Sequence, residues 1–285
     1  MNAIRVPVGV AEGTARSAGR ARPWLRAARS AAIAVAVCVA LAVVVEVALR
    51  AGHVAQFVFP APSAVLADLA AEPGLYLHAT LVTLGEAAAG LALAVVLALA
   101  FAAAALHSRL LDRALTPLVV ASQTVPVIAL APLLVLWLGY GALPRVVVCA
   151  LIAFFPLAVT SLQGLRATDP RLLFLLRSVD ARPWDVFWRV RVPSAAPYFA
   201  AGLRTGATLS LVGAVVAEWT GSDAGLGYLV LSANARLATA QAFAAILLIT
   251  VLGLAAYGGV AALERKVRWW DAAPGVTASR TEGRP

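Results

Sequence analysis

Long apolar runs separated by shorter polar segments make up most of this chain. A run of about 20 apolar residues is long enough to cross the hydrocarbon core of a membrane as a helix. We predict six such spans, with approximate bounds 31–50, 81–106, 117–138, 146–165, 205–221 and 237–263. The pattern therefore indicates an all-α, polytopic transmembrane helical bundle, with the spanning domain at about 31–265.

Shorter elements are predicted between the spans. Residues 62–71 lie among the proline breakers Pro60, Pro62 and Pro73 and are expected to form a short amphipathic helix capped by Ser63. Residues 139–145 are expected to form a tight turn, and a short helix is expected within 222–236.

The polar segment 166–204 interrupts the apolar pattern and contains seven arginines. An arginine at the centre of a spanning helix costs about 2.5–3.5 kcal/mol, so we predict a long loop here. Pro193 and Pro197 are expected to end it.

Within this loop, Trp184, Phe187 and Trp188 recur at helical spacing and predict a short helix with an aromatic face. Pro183 favours a helix start at its own position, and Asp185 then lies in the first turn, where a negative charge is favourable. Such a helix fits either an anionic lipid surface or a partner protein.

Composition supports the membrane assignment. The chain is 62% hydrophobic and 13% charged, whereas a soluble domain has about 25% charged residues. The chain has 23 lysine and arginine residues, and all except Arg50, Arg145 and Arg236 are predicted to lie on the same side of the membrane. By the positive-inside rule that side is cytoplasmic, which places a basic arm (1–30), the loop 166–204, a tail (266–285) and both termini inside. The net charge of +9 is thereby explained without a nucleic-acid partner.

Several chemistries are not indicated. The chain has no GxxxxGK[ST] phosphate loop, and its only lysine is Lys266. Cys38 and Cys149 lie in apolar runs, without a metal-ligand spacing. No nucleophilic triad or paired carboxylates stand out. We predict no enzyme, no cofactor and no metal site.

Polar residues within the spans are candidates for a translocation path, because an intramembrane polar group usually has a function. They are Ser122, Gln123, Thr124, Thr208, Ser210 and Glu218, with Glu86 as a weaker one. Helix–helix hydrogen bonding is the alternative for each of them. Gly202, Gly206 and Gly213 are expected to permit close helix packing.

The loop resembles the cytoplasmic loop of bacterial ABC importer permeases, whose pattern ends in an apolar residue, any residue, Leu and Pro. Val190, Val192 and Pro193 match that ending. The front half departs from the pattern, since Asp180 stands where glycine is usual and Phe174, Leu175 and Leu176 replace Glu-Ala-Ala.

The resemblance extends over roughly residues 76–265. The stretches SQTVPVIALAPLLVLWLGYG (122–141), LIAFFPLAVTSLQGLRATDP (151–170), VPSAAPYFAAGLRTGATLSLVGAVVAEWTG (192–221) and GLGYL (225–229) are similar to nitrate/sulfonate/taurine-type permeases. Within that group they look most like the branch linked to pyrimidine precursors of thiamine.

This resemblance implies a type I importer permease of MetI-like architecture in a bacterial inner membrane. It implies two cytoplasmic ABC ATPase subunits, an external solute-binding protein and a second permease copy, in addition to membrane lipid. ATPase coupling would then involve Asp180, Ala181, Arg182, Pro183, Trp184, Asp185, Phe187, Trp188 and Pro193. A secondary transporter, which needs no ATPase, is the rival interpretation.

Overall fold

The computed structural model describes residues 23–108, 110, 113, 117 and 126–267. Every regular element in these ranges is helical, which confirms the all-α class. The chain divides into two compact units, residues 1–54 and 55–285. The first 22 residues of the predicted arm, most of residues 117–125 in the third predicted span, and the tail after residue 267 lie outside the described residues.

The first unit contains helix α1, Pro23–Ala51. It begins eight residues before the span predicted at 31–50 and ends one residue after it. Glu46 and Arg50 lie one turn apart near its end and form an ion pair at 2.5 Å, so these two charges partly neutralise each other.

The second unit contains the remaining helices. They are α2 (Pro62–Ala71), α3 (Pro73–His107), α4 (Val127–Leu138), α5 (Ala142–Arg166), α6 (Pro170–Ser178), α7 (Pro183–Val186), a π-helix (Phe187–Arg191), α8 (Val192–Glu218), α9 (Leu226–Ala235) and α10 (Thr239–Val267). Among the described residues, four helical segments are long and apolar enough to cross a membrane: Pro73–His107, Ala142–Arg166, Pro183–Glu218 and Thr239–Lys266.

The segment Pro183–Glu218 is one helical run, in which α7 leads through the π-helix into α8. Pro193 and Pro197 lie inside it, so the prediction that they end the segment was wrong. A proline ring clashes with the carbonyl four residues earlier in a regular α-helix. The π-helix, whose turns are wider, ends two residues before Pro193 and changes the hydrogen-bond pattern where the proline would otherwise break it.

Arg204, predicted at the end of the loop, also lies within α8. It forms an ion pair with Glu264 of α10 at 3.3 Å, and its guanidinium lies 5.9 Å from the ring centre of Tyr257. These partners explain how a spanning helix carries this charge.

Local sequence signals predicted the short elements well. The helix at 62–71 is confirmed, although Ala61 rather than Ser63 occupies its cap position, because Pro62 is the first helical residue. The short helix within 222–236 is confirmed as α9. The turn predicted at 139–145 is shorter than expected, because α5 already begins at Ala142.

Helices α5 and α8 pack along much of their length through glycines, as predicted. A Cβ atom on Gly213 would lie 2.9 Å from Cα of Cys149, and one on Gly206 would lie 3.1 Å from Leu157. A Cβ atom on Gly202 would overlap the hydroxyl of Thr160. The two backbones therefore approach as closely as small residues permit.

Alanines make a similar contact between α3 and α5. Ala94, Ala98 and Ala153 are completely buried around Leu157. Because van der Waals packing, rather than exclusion of water, holds helices together in lipid, this seam of small residues fixes the relative positions of α3, α5 and α8.

A valine at Gly213 should destabilise this seam. Gly213→Val places methyl groups against the backbone of α5 and should lower the melting temperature in detergent by about 5 °C or more. Gly258→Val is the matched control, because no atom lies within 4 Å of a Cβ at Gly258. Equal melting temperatures for the two variants would contradict the packing described here.

Candidate functional site

The basic segment is shaped by the way in which α6 begins and ends. Asp169 caps the start of α6 by accepting a hydrogen bond from the backbone N–H of Arg171 at 2.8 Å. At its end, the N–H of Asp180 donates to Arg177 and that of Ala181 donates to Leu176, which together form a Schellman motif.

Asp180 adopts the left-handed conformation that this motif requires, with φ of 51°. Glycine adopts it at the lowest cost, whereas aspartate is one of the few other residues that tolerate it. The departure from the family pattern at this position thus keeps the backbone conformation that the turn needs.

Three aromatic side chains cluster at the start of the long helix. The ring centres of Trp184 and Trp188 lie 5.6 Å apart, and that of Phe187 lies 6.5 Å from Trp184 and 5.4 Å from Trp188. Trp184 is 70% exposed and Trp188 51% exposed. The helix start at Pro183 and the position of Asp185 in its first turn are confirmed. Such an apolar cluster at a protein surface is typical of a binding site.

A cavity of about 580 Å³ lies between this cluster, α6 and the end of α3. Leu106, Arg177, Phe187 and Arg191 are among the residues that line it. The inner side of the cluster therefore borders open space.

A second polar site lies at the opposite end of the same helix. Glu218, the last residue of α8, is only 1% exposed. Its Oε1 accepts a hydrogen bond from the hydroxyl of Thr83 at 2.6 Å, and its Oε2 accepts from the N–H groups of Gly227 at 2.5 Å and Tyr228 at 3.3 Å. The Thr83 hydroxyl in turn accepts from the N–H of Leu226 at 2.8 Å. One carboxylate thus joins α3, α8 and α9.

The glycines of the GLGYL stretch make this contact possible. A Cβ atom on Gly225 would collide with the carboxylate of Glu218, and the φ of Gly225 is +108°. A Cβ atom on Gly227 would lie 2.7 Å from the carbonyl of Val215. Side chains at these positions would push the start of α9 away from Glu218.

An ion pair one turn along α3 holds the segment between α8 and α9. Arg145 Nη1 lies 2.6 Å from Glu86 Oε1 and donates to Ser222 Oγ at 2.5 Å. Ser222 Oγ donates to the carbonyl of Ala224 at 2.6 Å. The side chains of Arg145 and Glu86 are 12% and 6% exposed, so the pair is well shielded from solvent.

The residues predicted to line a translocation path do not form one cluster among the described residues. Ser122, Gln123 and Thr124 lie outside the described residues. Thr208 and Ser210 donate to the carbonyls of Arg204 and Ala207 in their own helix. Glu218 is enclosed within the chain in this conformation. A role of these residues in translocation stays a prediction.

Sequence reasoning missed Thr83 as a partner of Glu218, Arg145 as a partner of Glu86, and Ser222 as a partner of Arg145. A lone threonine in an apolar span and a single arginine at a span end carry little signal by themselves. The two acids, Glu86 and Glu218, were noticed because each is a charge within an apolar run. Their partners Arg145 and Thr83 were not, because each belongs to another helix.

Comparison with known proteins identifies relatives along most of the chain. Residues 90–269 match the family model described as binding-protein-dependent transport system inner membrane component. A probable ABC transporter permease of Haemophilus influenzae is 39% identical over 218 residues, which are 76% of this chain and 89% of that protein.

Other relatives carry substrate names. The formylaminopyrimidine transport permease of Halalkalibacterium halodurans is 37% identical over 66% of this chain and 75% of its own length. The riboflavin transport system permease of Chloroflexus aurantiacus is 35% identical over 76% of this chain and 81% of its own length. Permeases named for aliphatic sulfonates and taurine also match, which confirms the resemblance to the nitrate/sulfonate/taurine group.

Removing one partner of the shielded ion pair should be costly. Arg145→Met leaves the Glu86 carboxylate without its counter-charge, and breaking such a pair costs about 3–5 kcal/mol. We expect the melting temperature of the purified protein to fall by about 6 °C or more, and the double variant Arg145→Met/Glu86→Gln to recover part of the loss.

Arg189→Met is the control for this experiment, because the ion pair of Arg189 with Asp185 is exposed and such pairs contribute about 0–1 kcal/mol. If Arg145→Met and Arg189→Met shift the melting temperature equally, the Glu86–Arg145 pair does not hold the structure as described.

Proposed function

Because this chain belongs to the family of binding-protein-dependent transport system inner membrane components, we propose that it is the permease subunit of an ATP-driven importer. In this role it spans the inner membrane of a bacterium several times, with both termini in the cytoplasm. It lines the path of a small polar solute and hydrolyses no ATP itself.

The exposed aromatic cluster is the observation that carries the proposal. Trp184 and Trp188 are largely exposed although they are the largest apolar side chains of the segment. They lie at the first turns of a helix that continues through a span-length apolar segment. A cytoplasmic protein that docks on these rings would explain why they remain outside the core.

We propose that the partner is a pair of ABC ATPase subunits. The chain lacks a phosphate-binding loop, so energy has to come from another protein. The docking face consists of the positions around the cluster, of which Arg182, Trp184 and Trp188 are exposed and the others half-buried: Ala181, Arg182, Trp184, Asp185, Phe187 and Trp188. Asp180, Pro183 and Pro193 shape the backbone on either side.

The continuous helix supplies the mechanism. When ATP brings the two ATPases together, they displace the segment at Trp184, and the displacement moves α8 as a lever. The spans then change from an inward-open to an outward-open state, and an external binding protein releases solute into the path. A second copy of this chain forms the other half of the path.

The solute is a small polar molecule of the kind that the relatives' names describe. A pyrimidine precursor of thiamine, a sulfonate, taurine and nitrate all fit the group. A solute-binding protein encoded beside this chain would identify the solute, because a ligand that raises its melting temperature is the one it delivers.

A secondary transporter is the rival function. It would take up solute without nucleotide and would purify from native membranes without an ATPase. Affinity purification of the tagged chain in mild detergent separates the two functions, since the proposed importer brings down an ATPase subunit in stoichiometric amounts.

A charge placed in the aromatic cluster should uncouple the importer. Trp184→Asp and Phe187→Asp remove apolar contact area from the docking face, and a buried unpaired carboxylate is unfavourable there. We expect normal insertion in the membrane, loss of ATPase co-purification and at least about tenfold slower ATP-dependent uptake into vesicles.

Tyr140→Asp is the matched control, because Tyr140 is an 87% exposed aromatic residue on the side predicted to face outward. It should leave ATPase binding unchanged. Coupled uptake at the normal rate in Trp184→Asp would count against the docking face.

A further inference from the structure

The docking helix and the buried carboxylate lie at opposite ends of one helical run. Residues Pro183–Glu218 form 36 consecutive helical residues, which extend over about 50 Å at 1.5 Å per residue. Trp184 lies in the first turn and Glu218 is the final residue. A rigid displacement at one end therefore reaches the other.

Glu218 binds the next helix more firmly than a connecting segment alone would. Its Oε2 accepts from two free N–H groups at the start of α9, Gly227 and Tyr228, where the helix dipole favours a negative charge. The missing side chains of Gly225 and Gly227 allow this contact. The corner between α8 and α9 is thereby closed by a charge-assisted cap rather than by a free loop.

Thr83 holds this corner against α3. Its hydroxyl lies 2.6 Å from Glu218 Oε1 and accepts from the N–H of Leu226. The residues that carry these three groups, Thr83, Glu218 and Leu226, are buried, so each bond lost without replacement costs about 1–3 kcal/mol. The hydroxyl of Thr83 is thus the polar link between the corner and the neighbouring span.

We propose that Glu218 and Thr83 are positioning residues that couple the extracytoplasmic helix α9 to the long helix α8. Through them, contact of the solute-loaded binding protein with the outer face alters the docking helix, and the ATPases alter α9 in return. This inference rests on the function proposed above and adds the residues that carry the coupling across the membrane.

The test is performed on the whole complex in nanodiscs, with permease, ATPase and loaded binding protein. The measured quantity is the factor by which the binding protein stimulates ATP hydrolysis. Thr83→Val keeps the shape of the side chain but removes the hydroxyl, and Glu218→Gln keeps the size but removes the charge. We expect both to reduce the stimulation about fivefold or more while basal hydrolysis persists.

Two further variants separate coupling from mere stability. Thr83→Ser keeps the hydroxyl and should retain the stimulation. Thr250→Val is the matched control, since the Thr250 hydroxyl binds only the carbonyl of Ile246 in its own helix among the contacts seen, and it should also retain the stimulation. Melting temperatures of all variants are measured in parallel.

Each outcome decides a different point. Unstimulated hydrolysis in the wild-type complex overturns the proposed function and this inference with it. Normal stimulation in the wild type and in folded Thr83→Val overturns the inference alone. If Glu218→Gln does not fold, the stimulation of ATP hydrolysis measured with Thr83→Val decides whether the coupling role holds. A loss of stimulation that Thr83→Ser restores, at similar melting temperature, supports the coupling role.

Discussion

A carboxylate buried in a bundle of spanning helices has to obtain its hydrogen bonds from the protein, because water is not available there. Glu218 obtains them from Thr83 on α3 and from the first N–H groups of α9. This requirement fixes the corner between α8 and α9, demands glycine at 225 and 227, and ties three helices together at the end of the helical run Pro183–Glu218.

The rest of that helix is held by contacts of a different kind. Gly202, Gly206 and Gly213 bring α8 against α5 with almost no intervening side chain, so the two helices have little freedom to slide independently. A helix fixed along its length and capped at its end transmits displacement well. The proposed partner would apply this displacement at the exposed rings of Trp184 and Trp188, at the start of the helical run.

Local signals in the sequence were enough for much of this architecture. Pro183 marked a helix start, the prolines around 60–62 marked α2, and the glycines of α8 marked a close contact. What could not be predicted depends on tertiary structure. Thr83 and Glu218 are 135 residues apart in sequence and Arg145 and Ser222 are 77 apart, and no local pattern relates them. Pro193 misled because the π-helix before it alters the hydrogen-bond pattern that a proline would otherwise break, and Pro197 misled because it lies within the α-helix that follows.

Labelling from both sides of the membrane tests most directly whether one helix carries the docking segment inside and Glu218 towards the outside. Cys38 and Cys149, the two native cysteines, are first replaced by alanine. Single cysteines are then introduced at Arg182 and at Asp223, which are both exposed, and treated with a membrane-impermeant maleimide. The account predicts that Arg182→Cys reacts only in inverted vesicles and Asp223→Cys only in right-side-out vesicles. Reaction of both from the same side, or of Arg182→Cys from outside, would contradict it.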